Sequence, residues 1–148
     1  MKPSKPGLVD TNILVYSINL DSVFHQRART FLKVGFSKQT FYLTPQVILE
    51  FYNVISSKKF TVPLKPAKIK KLVNFFADQA KFPYIFPDKS TFQEAIKIAL
   101  QTKSFGKQKI FDAYLVATCL ENKISVIYTH NPKDFRSYKG ITLIDPLK

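Results

Sequence analysis

At 148 residues, with 45% apolar and 14% aromatic content, the chain can bury a real core, which excludes a disordered tail. Lys and Arg number 23 against 10 Asp and Glu, a formal net charge of +13, and that balance points to a polyanionic partner such as RNA, DNA or an acidic membrane surface, beyond mere solubility. No run approaches the roughly 18 apolar residues of a membrane span, and the single Cys119 allows no disulfide within the chain, so a soluble protein of a reducing, cytoplasmic compartment is expected.

Short β-rich runs alternate with longer helical ones, the pattern of a parallel sheet covered by helices. Gly7 to Asp10 reads as the first of five strands, followed by a helix over Asn12 to Asn19. Asp21 or Ser22 is suited to cap a second helix through about Val34, with Phe24, Ala28, Phe31 and Leu32 on one face and Gly35 as its stop. Thr40 to Thr44 is the second strand. Thr44 then caps a helix that begins on Pro45, the favoured place for proline, and runs to about Ser57. Beyond a loop with Pro63, a helix from Pro66 to Ala80 turns Ile69, Leu72, Val73 and Phe76 inward. Pro83 and Pro87 bracket Tyr84 to Phe86, a short third strand placed at an edge. Thr91 with Glu94 has the spacing of a capping box, opening a helix whose apolar residues are Phe92, Ala95, Ile96, Ala99 and Leu100. A polar connection from Lys103 to Lys109 leads to a helix ending near Asn122, and Ile124 to Thr129 and Ile141 to Ile144 complete the strands. With no repeat and no boundary in view, residues 1–148 read as one domain.

Four acids stand where acids are least expected. Asp10 closes an apolar run in GLVDTNILVY, Glu50 interrupts PQVILEFYNVI, Asp112 interrupts KIFDAYLVATCL, and Asp134 follows the apolar SVIYT inside THNPKDF. Burying a lone carboxylate costs several kcal/mol unless something compensates. Asp10 and Asp134 lie at or just beyond the C-terminal ends of strands, the edge where open α/β sheets bind ligands. Glu50 shares a helix stripe with Val47 and Val54, and Asp112 with Leu115, Val116 and Cys119, so both are expected to face the sheet. Taken singly, each acid has an ordinary role open to it: Asp10 as a helix cap, Glu50 as a lysine partner, Asp112 in a first turn, Asp134 in a turn. Taken together, they point to a bound cation, and a ligand set made of oxygen suits Mg²⁺ or Mn²⁺ rather than Zn²⁺. His25 and His130 are not spaced as a zinc pair; His130 lies near Asp134, within reach of a substrate there.

These motifs resemble those of the PIN-domain nucleases and, within them, the VapC-type toxins of toxin–antitoxin pairs. LVDTNILVY resembles the opening Asp-Thr-Asn motif, LTPQVILEFYNVI the second acidic helix, KIFDAYLVATCLEN the third, and IYTHNPKDF the fourth, in order over nearly the whole chain. The resemblance implies a three-layer α/β fold around a five-stranded parallel sheet in the order 3-2-1-4-5, an acidic pocket for Mg²⁺ or Mn²⁺, and endoribonuclease activity. Carried over residue by residue, it makes Asp10, Glu50, Asp112 and Asp134 the acidic set, with Asp10 and Asp112 foremost as metal ligands. Thr11 and Asn12 become groups that orient Asp10. The departure is Asn131, where many relatives carry an acid; either Asn131 or Asp134 completes the set, which leaves one or two metals open. A small antitoxin protein and a homodimer are implied as well.

The expected mechanism is metal-assisted hydrolysis of an RNA phosphodiester. Lys58 and Lys59, in a stretch free of acids, and Lys103, Lys107 and Lys109 are the candidates for holding the RNA backbone. The rival readings are a catalytically silent RNA-binding module, a housekeeping RNA-processing nuclease, and a phospho-receiver or aspartyl phosphatase. Asn12 speaks against the phosphatase, which needs a second Asp at that position.

Overall fold

The computed structural model describes residues 5–58, 60, 63–102 and 109–148. Its frame is a parallel sheet in which β1 (Gly7–Val9) lies between β2 (Phe41–Tyr42) and β3 (Val126–Tyr128), with β4 (Thr142–Ile144) beyond β3. Leu8 pairs with Tyr42 on one side and Ile127 on the other, and Ile127 pairs with Leu143. Leu8, Val9 and Ile127 are fully buried, as expected of parallel strands covered on both faces. The flanking helices are α1 (Thr11–Ile18), α2 (His25–Ser37), α3 (Pro45–Ile55), α4 (Pro66–Ala77), α5 (Thr91–Gln101) and α6 (Lys109–Glu121). Among the described residues no helix is long and apolar enough to cross a membrane.

The expected third strand is reduced to one bridge. Tyr84 pairs in parallel with Leu43, and two hydrogen bonds of 2.9 Å join Leu43 N–H to the Pro83 carbonyl and Ile85 N–H to the Leu43 carbonyl. Pro83 and Pro87 have no N–H to extend the ladder. The bridge sits outside β2, so the order along the sheet is the expected one, with four strands rather than five.

Helix ends follow local chemistry in most places. Thr44 Oγ1 accepts the Val47 N–H at 3.2 Å, and Pro45 opens α3. Helix α2, however, does not stop at Gly35. It ends in a Schellman motif with Gln39 in the left-handed region at φ 52, where Gln39 N–H reaches the Phe36 carbonyl at 3.0 Å and Thr40 N–H the Gly35 carbonyl at 3.1 Å. Gly35 serves packing instead, since a Cβ there would lie 1.8 Å from the ring of Phe41, which is itself fully buried in β2. Gly35→Ala is therefore expected to destabilise the fold by about 1–3 kcal/mol through overpacking, even though alanine is the better helix former. A Tm lowered by roughly 5 °C is the expected reading; an unchanged or higher Tm would mean that Phe41 yields.

Helix α5 buries only part of its apolar set. Thr91 and Ala95 are buried, with Ile98 and Ala99 beside them, while Phe92, Ile96 and Leu100 are exposed. The cause lies on another element. Thr91 is the first residue of the helix, not its cap; its hydroxyl donates to the Glu121 carboxylate at the end of α6 and accepts the Asp88 N–H at 2.7 Å. The Thr91–Glu94 capping box is not formed, because that hydroxyl is engaged across the α5–α6 contact. Cys119 fills the core on α6, and burial pushes its thiol up to about 12.

Candidate active site

Three strands end in polar residues on the same sheet edge: Asp10 after β1, Thr129 after β3 and Asp145 after β4. Asp10 has extended backbone (φ −72, ψ 152) and caps α1, its Oδ1 accepting the Thr11 N–H at 2.7 Å. Its Oδ2 accepts from Asn12 Nδ2 and from Thr129 Oγ1, both at 2.6 Å. Only 8% of the residue is exposed, and among the described residues no cation pairs with it. Burial raises its carboxyl to about 6 against the pull of the Thr129 hydrogen bond, and the Glu50 charge pushes the same way as burial.

Glu50 comes from α3. Its Oε2 accepts the Thr11 hydroxyl at 2.9 Å and its Oε1 accepts Gln46 Nε2 at 2.7 Å, so neutral donors rather than a lysine hold it. Asp112, in the first turn of α6, is also raised to about 6, by burial first, then by the charge of Asp134, against Lys109. Glu50 and Asp10 add to that repulsion. The Lys109 ammonium stands 3.9 Å from Asp112, a long ion pair. Asp134 ends the 3-10 turn Pro132–Asp134, and its Oδ2 accepts Asn131 Nδ2 at 2.5 Å.

All four acids line one cleft of about 1030 Å³ with Thr11, Asn12 and Asn131. Its wall is apolar and aromatic where Tyr16, Leu49, Tyr52 and Phe111 stand. Among the described residues, no three His, Cys, Asp or Glu side chains already stand together as a set that would hold a metal ion. The acids share a cleft and one another's field without forming a closed cage. Like charges facing one another in a partly dry cleft repel, and a hard divalent cation is the partner that oxygen donors of this kind accept. The residues present fit that group.

The predicted residues thus fall into three sets. Thr11 and Asn12 bond Asp10 directly, and Thr11 links it to Glu50. Asn131 touches Asp134 and, through its N–H at 3.0 Å, Thr129, but not Asp10. Among the lysines, Lys58 is exposed, whereas Lys109 is turned inward, its ammonium donating to the Asp134 carbonyl at 3.2 Å with only 24% of the side chain exposed. Lys59, Lys103 and Lys107 lie outside the described residues.

Sequence reasoning missed Thr129, Gln46 and the pairing of His130 with Asp145. Thr129 is the first polar residue after the SVIY run, the signal that marked Asp10. Gln46 precedes Glu50 by one helical turn. His130 Nδ1 lies 3.1 Å from both Asp145 oxygens, and its ring packs against Phe24 with centroids 4.2 Å apart. No local spacing joins positions 130 and 145.

Residues 7–141 match the family model of the PIN domain. A curated relative, ribonuclease VapC24 of Mycobacterium tuberculosis, is 21% identical over 140 residues, spanning 94% of this chain and 95% of that protein. The DNA-bound VapBC structure from Salmonella typhimurium aligns with a TM-score of 0.68 at 15% identity, over 96% of this chain and 98% of that one. Mycobacterium tuberculosis VapC20, a toxin that cleaves the sarcin–ricin loop, aligns with a TM-score of 0.67 at 12% identity, over 86% and 91%. At these identities the solved structures speak for a common fold.

Proposed function

The chain belongs to the PIN-domain family, and from that premise we propose that it is a metal-dependent endoribonuclease, the toxin of a type II toxin–antitoxin pair. The observation that carries this reading is the gathering of Asp10 and Asp112 in one cleft. They lie on elements about a hundred positions apart in the chain, yet both line one cleft and both carboxyls are raised to about 6. Strongly perturbed acids gathered in a cleft are the physical signature of a functional site. The name ribonuclease carried by the VapC24 relative supports RNA as substrate, and the net charge of +13 suits a polyanion.

In this reading Asp10 and Asp112 hold Mg²⁺ or Mn²⁺, with Glu50 and Asp134 beside them. The bound ion supplies a more acidic water and offsets charge on the scissile phosphate. Thr11, Asn12 and Thr129 fix the direction of the Asp10 oxygens, and Thr11 keeps Glu50 next to them. Exposed lysines such as Lys58 hold the RNA backbone, a contact that weakens as salt rises. A small antitoxin protein covering the acidic cleft and a homodimeric toxin complete the proposal, in line with the VapBC complexes of the same fold.

The test is cleavage of a labelled RNA by the purified protein with Mg²⁺ or Mn²⁺, then with EDTA in excess. Activity is expected to fall at least about a hundredfold with EDTA and to return when metal is restored. Cleavage indifferent to EDTA would remove the metal from the proposal. Retention of RNA without any cleavage would leave a silent binding module.

A further inference from the structure

Gln46 lies in the first turn of α3, one turn before Glu50, and its NH₂ group serves two elements at once. Nε2 donates to Glu50 Oε1 at 2.7 Å and to the backbone carbonyl of Phe111 at 3.0 Å. Both amide protons are thereby used, and the second bond lands on α6 one residue before Asp112. The other amide atom, Oε1, is buried with no hydrogen-bond partner among the described residues. Turning the amide over would set Oε1 against a carboxylate oxygen and a carbonyl oxygen, two acceptors, so the NH₂ contacts dictate the orientation. A bare buried acceptor is unfavourable, and a fold retains one where the bonds at the other end matter more.

The hydrogen bonds then form a continuous bridge. Thr11, beside Asp10, donates to one oxygen of Glu50 at 2.9 Å, Gln46 donates to the other, and Gln46 also reaches Phe111 beside Asp112. This path runs from the start of α1, next to Asp10, to the start of α6 through two side chains of α3. Asp10, Glu50 and Asp112 repel one another across the cleft, so what holds their carriers together determines how far apart they stand. We propose that Gln46 is a positioning residue that fixes Glu50 and the start of α6 relative to each other, and so sets the arrangement of the acids that receives a divalent cation. This rests on the nuclease reading for its catalytic consequence, not for its effect on cation binding.

The test uses the full-length protein with Gln46→Met, which keeps the length of the side chain without its donors, and Gln46→Leu as a second variant. Mn²⁺ binding is measured by calorimetry without RNA, alongside thermal melting and the kcat and KM for a model RNA. Either variant is expected to melt cooperatively close to wild type, because the unpaired acceptor leaves together with the donors. Mn²⁺ affinity and kcat are expected to fall about tenfold, the scale seen for groups that orient metal ligands, with KM for RNA within about twofold. Mn²⁺ affinity and kcat within about twofold of wild type in both variants would overturn the assignment. Loss of cooperative folding in both would overturn it too, making Gln46 a stability residue. A wild type that binds Mn²⁺ but cuts no RNA sinks the nuclease reading alone.

Discussion

Asp10→Asn is expected to lower RNA cleavage by about a thousandfold at saturating Mg²⁺, the rate equivalent of the several kcal/mol that a correctly held metal contributes, while RNA binding stays within a few-fold of wild type. The fold should survive the change. The Asn carbonyl oxygen can still accept the Thr11 N–H now held at 2.7 Å, whereas its NH₂ meets two groups, Asn12 Nδ2 and Thr129 Oγ1, that now donate to Asp10. The Thr129 hydroxyl can rotate, but its oxygen already accepts from Asn12 Nδ2 and from the Asn131 N–H, each at 3.0 Å. The loss is therefore two hydrogen bonds to this side chain, together roughly 2 kcal/mol. Against it stands the relief of a buried charge. A carboxyl raised from 3.8 to about 6 represents on the order of 3 kcal/mol of destabilisation when ionised. The metal-free variant should thus melt at or above the wild-type temperature near pH 7.5. Full metal-dependent cleavage in this variant would falsify the role proposed for Asp10.

Between pH 7 and pH 5, cleavage and stability are expected to move in opposite directions. Asp10 and Asp112 both sit at about 6, so each goes from mostly ionised to mostly protonated over that range. With metal below saturation and both ionised acids needed, activity falls about a hundredfold, roughly a tenfold loss for each group. Stability follows the opposite sign. The folded-state values lie above the ordinary 3.8, so the folded protein takes up these protons before the unfolded chain does. The penalty of buried charge is complete above about pH 6 and is relieved as pH falls toward 4. The metal-free protein should therefore melt at a higher temperature at pH 5 than at pH 7. Divalent cations should stabilise the fold at pH 7.5 by about 2.7 kcal/mol at a hundredfold excess over Kd, raising the Tm, and have little effect at pH 5. Repeating the series with Asp10→Asn assigns the response, since that variant should lose a large part of it. An activity profile flat from pH 7 to pH 5, or a metal-free Tm that drops over that interval, would be incompatible with the two raised carboxyls.

Much of this site is legible in the sequence alone. Burying a carboxylate is costly, so an acid interrupting an apolar run draws attention whatever surrounds it, and that alone singled out Asp10, Glu50 and Asp112. The Thr44–Pro45 helix start was equally readable, because a cap and its N–H partner lie within three residues of each other. Where two segments met, local spacing lost its reach. Gly35 looked like a helix stop because glycine often is one; the ring of Phe41 packs where its side chain would be. The apolar residues of α5 were readable, but which of them face in was not: Thr91 bonds Glu121 on α6 and Ala95 is buried, while Phe92, Ile96 and Leu100 stand exposed.

The sequence by itself determined the alternation of strands and helices, the strand-end placement of Asp10 and the inward stripe of Asp112, because these depend on backbone periodicity and on the solvation cost of charge; the stripe expected for Glu50 held at Val47 but not at Val54, which is exposed. Only the tertiary structure decided which groups orient those acids. Thr129 bonds Asp10 across a separation of 119 positions and Gln46 reaches Phe111 across 65. A hydrogen bond between distant segments exists only after the sheet has aligned them, and no spacing within either segment records it.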